Sequence, residues 1–162
     1  MSVPADFDPE NAGNAPEIEK QFAVKVIEQA QTHHKLITTI PPSSLKLTKH
    51  DDELYEMFKE LFPENFENDL ALVKVIDEDR MKNKDSKTRW QKYSKAFEKT
   101  VEDFSSGCLL RLNSEEDYTE SNAIFAVRIQ FLAYEITRNR HGLNNKMYED
   151  EQKQSSTSKA TA

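Results

Sequence analysis

Residues 124–143, IFAVRIQFLAYEITRNRHGL, are apolar almost all round and yet hold Arg128, Gln130 and Glu135. A helix that is apolar on every side has to be covered by neighbours, and charged groups at its centre are costly unless paired and hydrogen-bonded. The stretch therefore predicts a buried helix whose polar inserts form either a structural network or a site. Arg128 and Glu135 are seven residues apart and so share a helical face two turns apart. Arg111, in the apolar segment upstream, joins them if that segment packs alongside. Arg111, Arg128 and Glu135 are expected as one charged network, and the structural and partner-binding readings of it both stay open. Arg138, Arg140 and His141 place cations against the helix C-terminal partial charge, and Gly142 just beyond suits a left-handed cap. Thr119 or Ser121 is placed to cap the start.

Working outward, Ser86 can cap a helix in which Trp90, Tyr93, Phe97 and Val101 recur every three or four residues, with Lys87, Arg89, Lys92 and Lys95 on the other faces. Gly107 breaks that pattern, and residues 108–112 suit an extended segment against the core. Further upstream, Thr48 and Asp51 form a cap-like pair before the stripe Leu54, Phe58, Leu61 and Phe62, which stops at Pro63. Residues 64–85 fit a strand or a helical turn equally. Asn14 and Glu17 have capping-box spacing around Pro16, and Ala23, Val26, Ile27, Ala30, Ile37 and Ile40 carry a first helix up to Pro41 and Pro42. Residues 1–13 read as a flexible arm with Phe7 as its one docking side chain. Residues 148–162 read as a disordered polar tail. The fold expected is mainly α: a single compact helical domain over residues 14–147, with one short β-hairpin at most.

Composition narrows the functions. The 162 residues carry a net charge of −7, with 36% hydrophobic and 31% charged residues, which argues against an overall footprint on phosphate backbones or anionic lipid. The lone Cys108 permits no intrachain disulfide and no all-cysteine metal site, and the longest apolar run is interrupted by Arg128, so no membrane span is expected. The address expected is the cytoplasm, with access to the nucleus. Three scattered glycines, Gly13, Gly107 and Gly142, cannot build a phosphate-cradling loop or a dinucleotide turn. His33 and His34 lack a ligand at four-residue spacing, so no metal is expected. Cys108 has no charged neighbour to activate it, and the carboxylates of Asp51, Asp52 and Glu53 and of Glu115, Glu116 and Asp117 suit caps and solubility. The basic stretch around Trp90 and Tyr93 has the look of an RNA-binding face, but aromatics at helical spacing belong to a core. Neither catalytic residues nor cofactors are expected.

The segments FDPENAGNAPEIEKQFA from Phe7, LKLTKHDDELYEMF from Leu45, the Arg89–Trp90 pair, VEDFSSGCLLRL from Val101 and RIQFLAYEITRNRHGLN from Arg128 together resemble the eukaryotic polysaccharide biosynthesis domain-containing protein 1 family, over about residues 5 to 145. His33 and His34 stand where the family pattern has an aromatic pair, and Cys108 where it has threonine. The resemblance implies a cytosolic, non-enzymatic chaperone whose client is newly made translation elongation factor 1-alpha and whose other contacts are the ribosome or nascent-chain-associated factors.

 The family's name notwithstanding, what the resemblance implies is assistance to the client's GTP-binding domain as it leaves the ribosome. The matching segments supply Arg111, Tyr118, Arg128, Arg138, Asn139, His141 and Asn144 as the client-contacting residues, and a monomer is expected. Two other classes compete. A glycan-related enzyme such as a xylan-modifying transferase needs a cofactor pocket, for which neither a glycine-rich turn nor a metal cluster is present. An RNA-associated factor would bind in a strongly salt-dependent way.

Overall fold

A computed structural model of the chain describes the backbone of residues 15–161 and the side chains of residues 19–156. The expected arm over residues 1–13, its Phe7 contact and the Asn14–Glu17 cap lie outside the described residues. Among those described, seven α-helices enclose one two-stranded antiparallel sheet: α1 (Ala15–Thr39), α2 (Asp51–Leu61), α3 (Ala71–Lys74), α4 (Glu78–Met81), α5 (Lys84–Phe97), β1 (Gly107–Arg111), β2 (Ala123–Val127), α6 (Arg128–Arg140) and α7 (Asn145–Thr161). The mainly α fold with one short hairpin is the one the sequence leads to.

The aromatic stripes of α2 and α5 face each other. Trp90 stacks on Phe58 at 5.8 Å between ring centroids and lies 4.3 Å from Phe62. The Trp90 indole N–H donates to the Met81 carbonyl at 3.2 Å, and the Tyr93 hydroxyl donates to the Leu54 carbonyl at 2.7 Å, so both polar tips are satisfied inside the core. Capping differs from expectation at both helices. Asn83, not Ser86, caps α5: its side chain accepts from the Ser86 N–H at 2.8 Å, while the Ser86 hydroxyl donates to the Arg80 carbonyl. At α2 it is the Asp51 carboxylate that reaches back to accept the N–H groups of Leu47 and Thr48. Residues 64–85 resolve into short helical pieces, with the strand alternative reduced to one bridge between Val75 and Asn113. Asn68, Asp69 and Leu70 run in succession through the left-handed region at φ 52°, 56° and 61°.

The apolar stretch divides in two where one helix was expected. Residues 123–127 form β2, paired with β1 in the register Cys108↔Ala126 and Leu110↔Ile124. In this part the side chains alternate, with Ile124 and Ala126 buried and Phe125 exposed, which is the period of a strand covered on one face. Arg128 then opens α6, its N–H donating to the Ser106 carbonyl, while the Gln130 side chain accepts the Val127 N–H at 3.0 Å. Thr119 caps the 3₁₀ turn Glu120–Asn122 instead of the helix. From Ile129 onward α6 is buried on all sides apart from Gln130, down to Asn139.

The C-terminal segment also departs from expectation. Composition reads as a disordered tail from residue 148, but the chain continues as α7 to Thr161. Met147 is buried, the Gln152 amide donates to the Thr38 carbonyl of α1 at 3.0 Å, and Lys146 pairs with Asp150 one turn on. Packing against α1 supplies what the local apolar content does not.

Candidate functional site

Glu135 sits at the middle of α6, fully buried, with Arg111 from β1 and Arg138 one turn further along α6, both also fully buried. The carboxylate accepts from Arg111 Nη2 at 3.2 and 3.3 Å, from Arg138 Nη1 at 3.1 Å and from Asn144 Nδ2 at 3.0 Å. The guanidiniums also donate to main-chain carbonyls, although Arg111 Nε is buried without a partner among the described residues. Arg111 reaches Ser114 and Glu116, and Arg138 reaches Val73 and Leu112. The Asn144 carbonyl oxygen accepts from Arg111 at 2.6 Å and its amide also donates to Asn139 at 2.7 Å. The cluster thereby ties β1, α3, α6 and the turn before α7 to one carboxylate.

His33 brings α1 into the same cluster. Its Nδ1 lies 2.7 Å from the Tyr118 hydroxyl and its Nε2 lies 3.7 Å from Glu135, with its ring edge-on to Phe131 at 4.8 Å. Two guanidiniums against one carboxylate already leave a net positive charge in a dry interior. Burial, reinforced by Arg111 and Arg138 and only partly offset by Glu135, lowers the His33 pKa from 6.5 to about 4, so the imidazole is neutral at pH 7. Burial alone would raise the Glu135 pKa, but Arg111, His33, Arg138 and the Asn144 amide outweigh it and hold the carboxyl well below the ordinary carboxylate range. A carboxylate so fully engaged accepts no proton near neutrality, so the arrangement works as a clamp among five elements.

The clamp differs from the expected network at one member. Arg128 is not in it. Because the helix begins at residue 128 rather than upstream, Arg128 falls at the N-terminus of α6, half-buried, and Arg138 takes the place facing Glu135. The i, i+3 spacing of Glu135 and Arg138 carried that signal in the sequence. His33 went unassigned because its partners, Tyr118 and Glu135, lie far along the chain, beyond any test of local spacing. The candidate client contacts are divided by burial: Arg111, Arg138, Asn139 and Asn144 lie inside the core and out of reach of a partner's surface, while Tyr118 is half-buried and turned toward His33. Arg128 and His141 reach the surface, His141 stacked on Tyr55 with its Nε2 2.8 Å from the Tyr55 hydroxyl. Cys108 is buried, and burial pushes its thiol up to about 12.

Two of the hollows on the outside contrast in character. A polar cleft of about 270 Å³ is flanked by Phe62, Tyr134, Arg80 and Arg89, but Arg89 is already paired with Glu64 at 2.6 Å and Asp85 at 3.0 Å. The other is an apolar groove of about 280 Å³ between α1 and β2, walled by Phe22, Val26, Ile27, Leu109 and Phe125. Phe22 and Phe125 meet at 5.9 Å, and Ile27 and Phe125 are 49% and 44% exposed, far more than core side chains of this size. The Gln29 side chain accepts the Leu109 N–H at 2.9 Å and so fixes the hairpin to α1 along the groove. Among the described residues there is no group of three or more His, Cys, Asp or Glu placed to hold a metal, and no helix is long and apolar enough to cross a membrane.

Fold and site together define a small mainly α domain held by a buried carboxylate clamp, with an apolar groove on its outside. The chain belongs to the PBDC1 family, whose model, described as PBDC1 protein, matches residues 18–149. It is 49% identical over 139 residues to the Protein PBDC1 homolog of Saccharomyces cerevisiae, covering 86% of this chain and 94% of that one. It is 46% identical over 144 residues to the Protein PBDC1 homolog of Schizosaccharomyces pombe, covering 89% and 97%. A solution NMR structure of a Saccharomyces cerevisiae protein superposes with a TM-score of 0.75 at 46% identity, covering 90% of this chain and 99% of that chain. The family is the one that the sequence segments resemble.

Proposed function

We propose that this protein is a non-enzymatic cytosolic chaperone whose client is newly made translation elongation factor 1-alpha, engaged while its GTP-binding domain is still folding. Family resemblance supplies the client, and the apolar groove between α1 and β2 is the observation that carries the mode of action. A GTP-binding domain built on a parallel sheet depends on non-local contacts and forms them slowly, leaving apolar segments exposed meanwhile. Ile27, Phe22 and Phe125 offer such a segment an apolar surface held open by a rigid frame. No nucleotide or metal is needed for that work.

The test is affinity purification of the tagged protein from translating cells, with sequencing of the ribosome-nascent-chain complexes that accompany it. Nascent elongation factor 1-alpha dominates the recovered material, and the double substitution Ile27→Asp with Phe125→Asp lowers its recovery at least tenfold without changing the thermal midpoint of the protein. Recovery that survives the double substitution would remove the groove from this role. Absence of the client, together with thermal stabilisation by S-adenosyl methionine or a nucleotide sugar, would instead favour an enzyme.

A further inference from the structure

Charge is distributed very unevenly over this chain. The twenty residues 80–99 carry eight cations and two carboxylates, +6 in a protein whose total is −7, which leaves −13 for the rest. Most of that positive charge belongs to α5. On the side turned away from the core, Lys84, Thr88, Gln91 and Lys95 form one row, with Lys87 and Lys92 beside it, all exposed. The row spans about 16 Å at 1.5 Å per residue.

Ion pairing separates this face from its neighbours. Arg89 is held by Glu64 and Asp85, and Lys82 by Glu78. Among the described residues, no ion pair is formed by Lys84, Lys87, Lys92 or Lys95, and the nearest acid in sequence at the far end is Glu98. The arrangement works against the helix itself. Lys84 and Lys87 sit in the first turn, where the macrodipole disfavours cations, and the Lys84–Lys87 and Lys92–Lys95 pairs repel at i, i+3. Two exposed carboxylates border the face, Asp85 at its start and Glu98 at its end, yet its four lysines keep it positive in a chain whose total is −7.

We propose that the exposed face of α5 is a docking surface for the phosphodiester backbone of double-helical RNA. Lysines act as point charges toward phosphate oxygens, and between them in the row the Gln91 amide can donate to phosphate, while Thr88, whose hydroxyl donates to the Lys84 carbonyl at 3.3 Å, can accept from the 2′-hydroxyl that distinguishes RNA. The aromatic residues of this helix argue against the other polyanions. Trp90, Tyr93 and Phe97 are buried, so α5 has no platform on which unpaired bases could stack, and the apolar side chains beside its lysines, Phe104 and Val127, are half-buried and line a hollow rather than project as entry into a lipid surface requires. This surface lies on a different element from the client groove and does not rest on the client's identity.

The experiment is fluorescence anisotropy of the full chain with a labelled RNA duplex of about twenty base pairs, titrated at salt concentrations from about 50 to about 200 mM. With four lysines in contact, affinity falls about 100-fold across that range. The substitution set K84E, K87E, K92E and K95E weakens binding at least tenfold and flattens the salt dependence, whereas the matching arginine set retains it. Unchanged thermal midpoints and helicity in both sets show that the fold is intact, as expected for four exposed positions. Binding that is insensitive to charge reversal overturns the proposal. So does equal affinity for a DNA duplex of the same length, or tighter binding to polyglutamate or to phosphatidylserine vesicles.

Discussion

Glu135 is the residue on which the buried charges depend. With its carboxylate removed, Arg111 and Arg138 face each other unpaired in the core, and the loss of one partner from a buried ionic cluster costs about 3 to 5 kcal/mol. Glu135→Ala is therefore expected to lose that much stability in urea unfolding, while Arg128→Ala, outside the clamp, stays within about 0.5 kcal/mol of the parent. His33 adds a dependence on pH. Its folded pKa of about 4 lies below the ordinary 6.5, so between those values the unfolded chain binds the extra proton. Stability is then complete above pH 6.5 and falls by about 3 kcal/mol as pH drops toward 4, with Glu135 adding to the loss below its own ordinary value. His33→Gln is expected to flatten the unfolding free energy between pH 6.5 and pH 4.5, measured by denaturant titration at each pH. These pairings were partly legible in sequence. That a charged group must be paired inside residues 124–143 follows from hydrophobicity alone, but which arginine does it depends on where the helix begins, and His33 meets Glu135 only through the packing of α1.

Elements were legible where their period was unambiguous. The α2 and α5 stripes put Leu54, Phe58, Trp90, Tyr93 and Phe97 in the core as their spacing requires. In residues 124–127 four apolar side chains in succession satisfy a buried helix and a strand alike, and the choice is made by β1, whose carbonyls and N–H groups need a partner. For α7 the local sequence holds too few apolar groups to announce a helix, and the decision falls to the burial of Met147 and the hydrogen bond from Gln152 to α1. A chain ended at Lys146 is accordingly expected to lose about 2 kcal/mol, the worth of burying one methionine side chain, seen as a lower thermal midpoint.

At the scale of the whole molecule the two proposed surfaces lie on different elements. The apolar groove belongs to α1 and the hairpin, and the lysine row to α5, on whose opposite side Trp90 packs against Phe58 and Phe62. Whole-chain composition concealed this division, since a net charge of −7 averages a basic helix with an acidic remainder. The groove was equally hidden, because Phe125 reads as core until the strand turns it outward.

Trp90 is the single tryptophan of the chain, and it is almost wholly withdrawn from water. The protein thus carries an intrinsic fluorophore that emits at short wavelength while the α2 and α5 stripes remain interleaved and shifts to the red when they part. Because the indole is packed against Phe58 and Phe62 with its N–H held by the Met81 carbonyl, loss of the fold moves the emission wavelength. One unlabelled optical signal therefore reports damage to the fold in every variant described above.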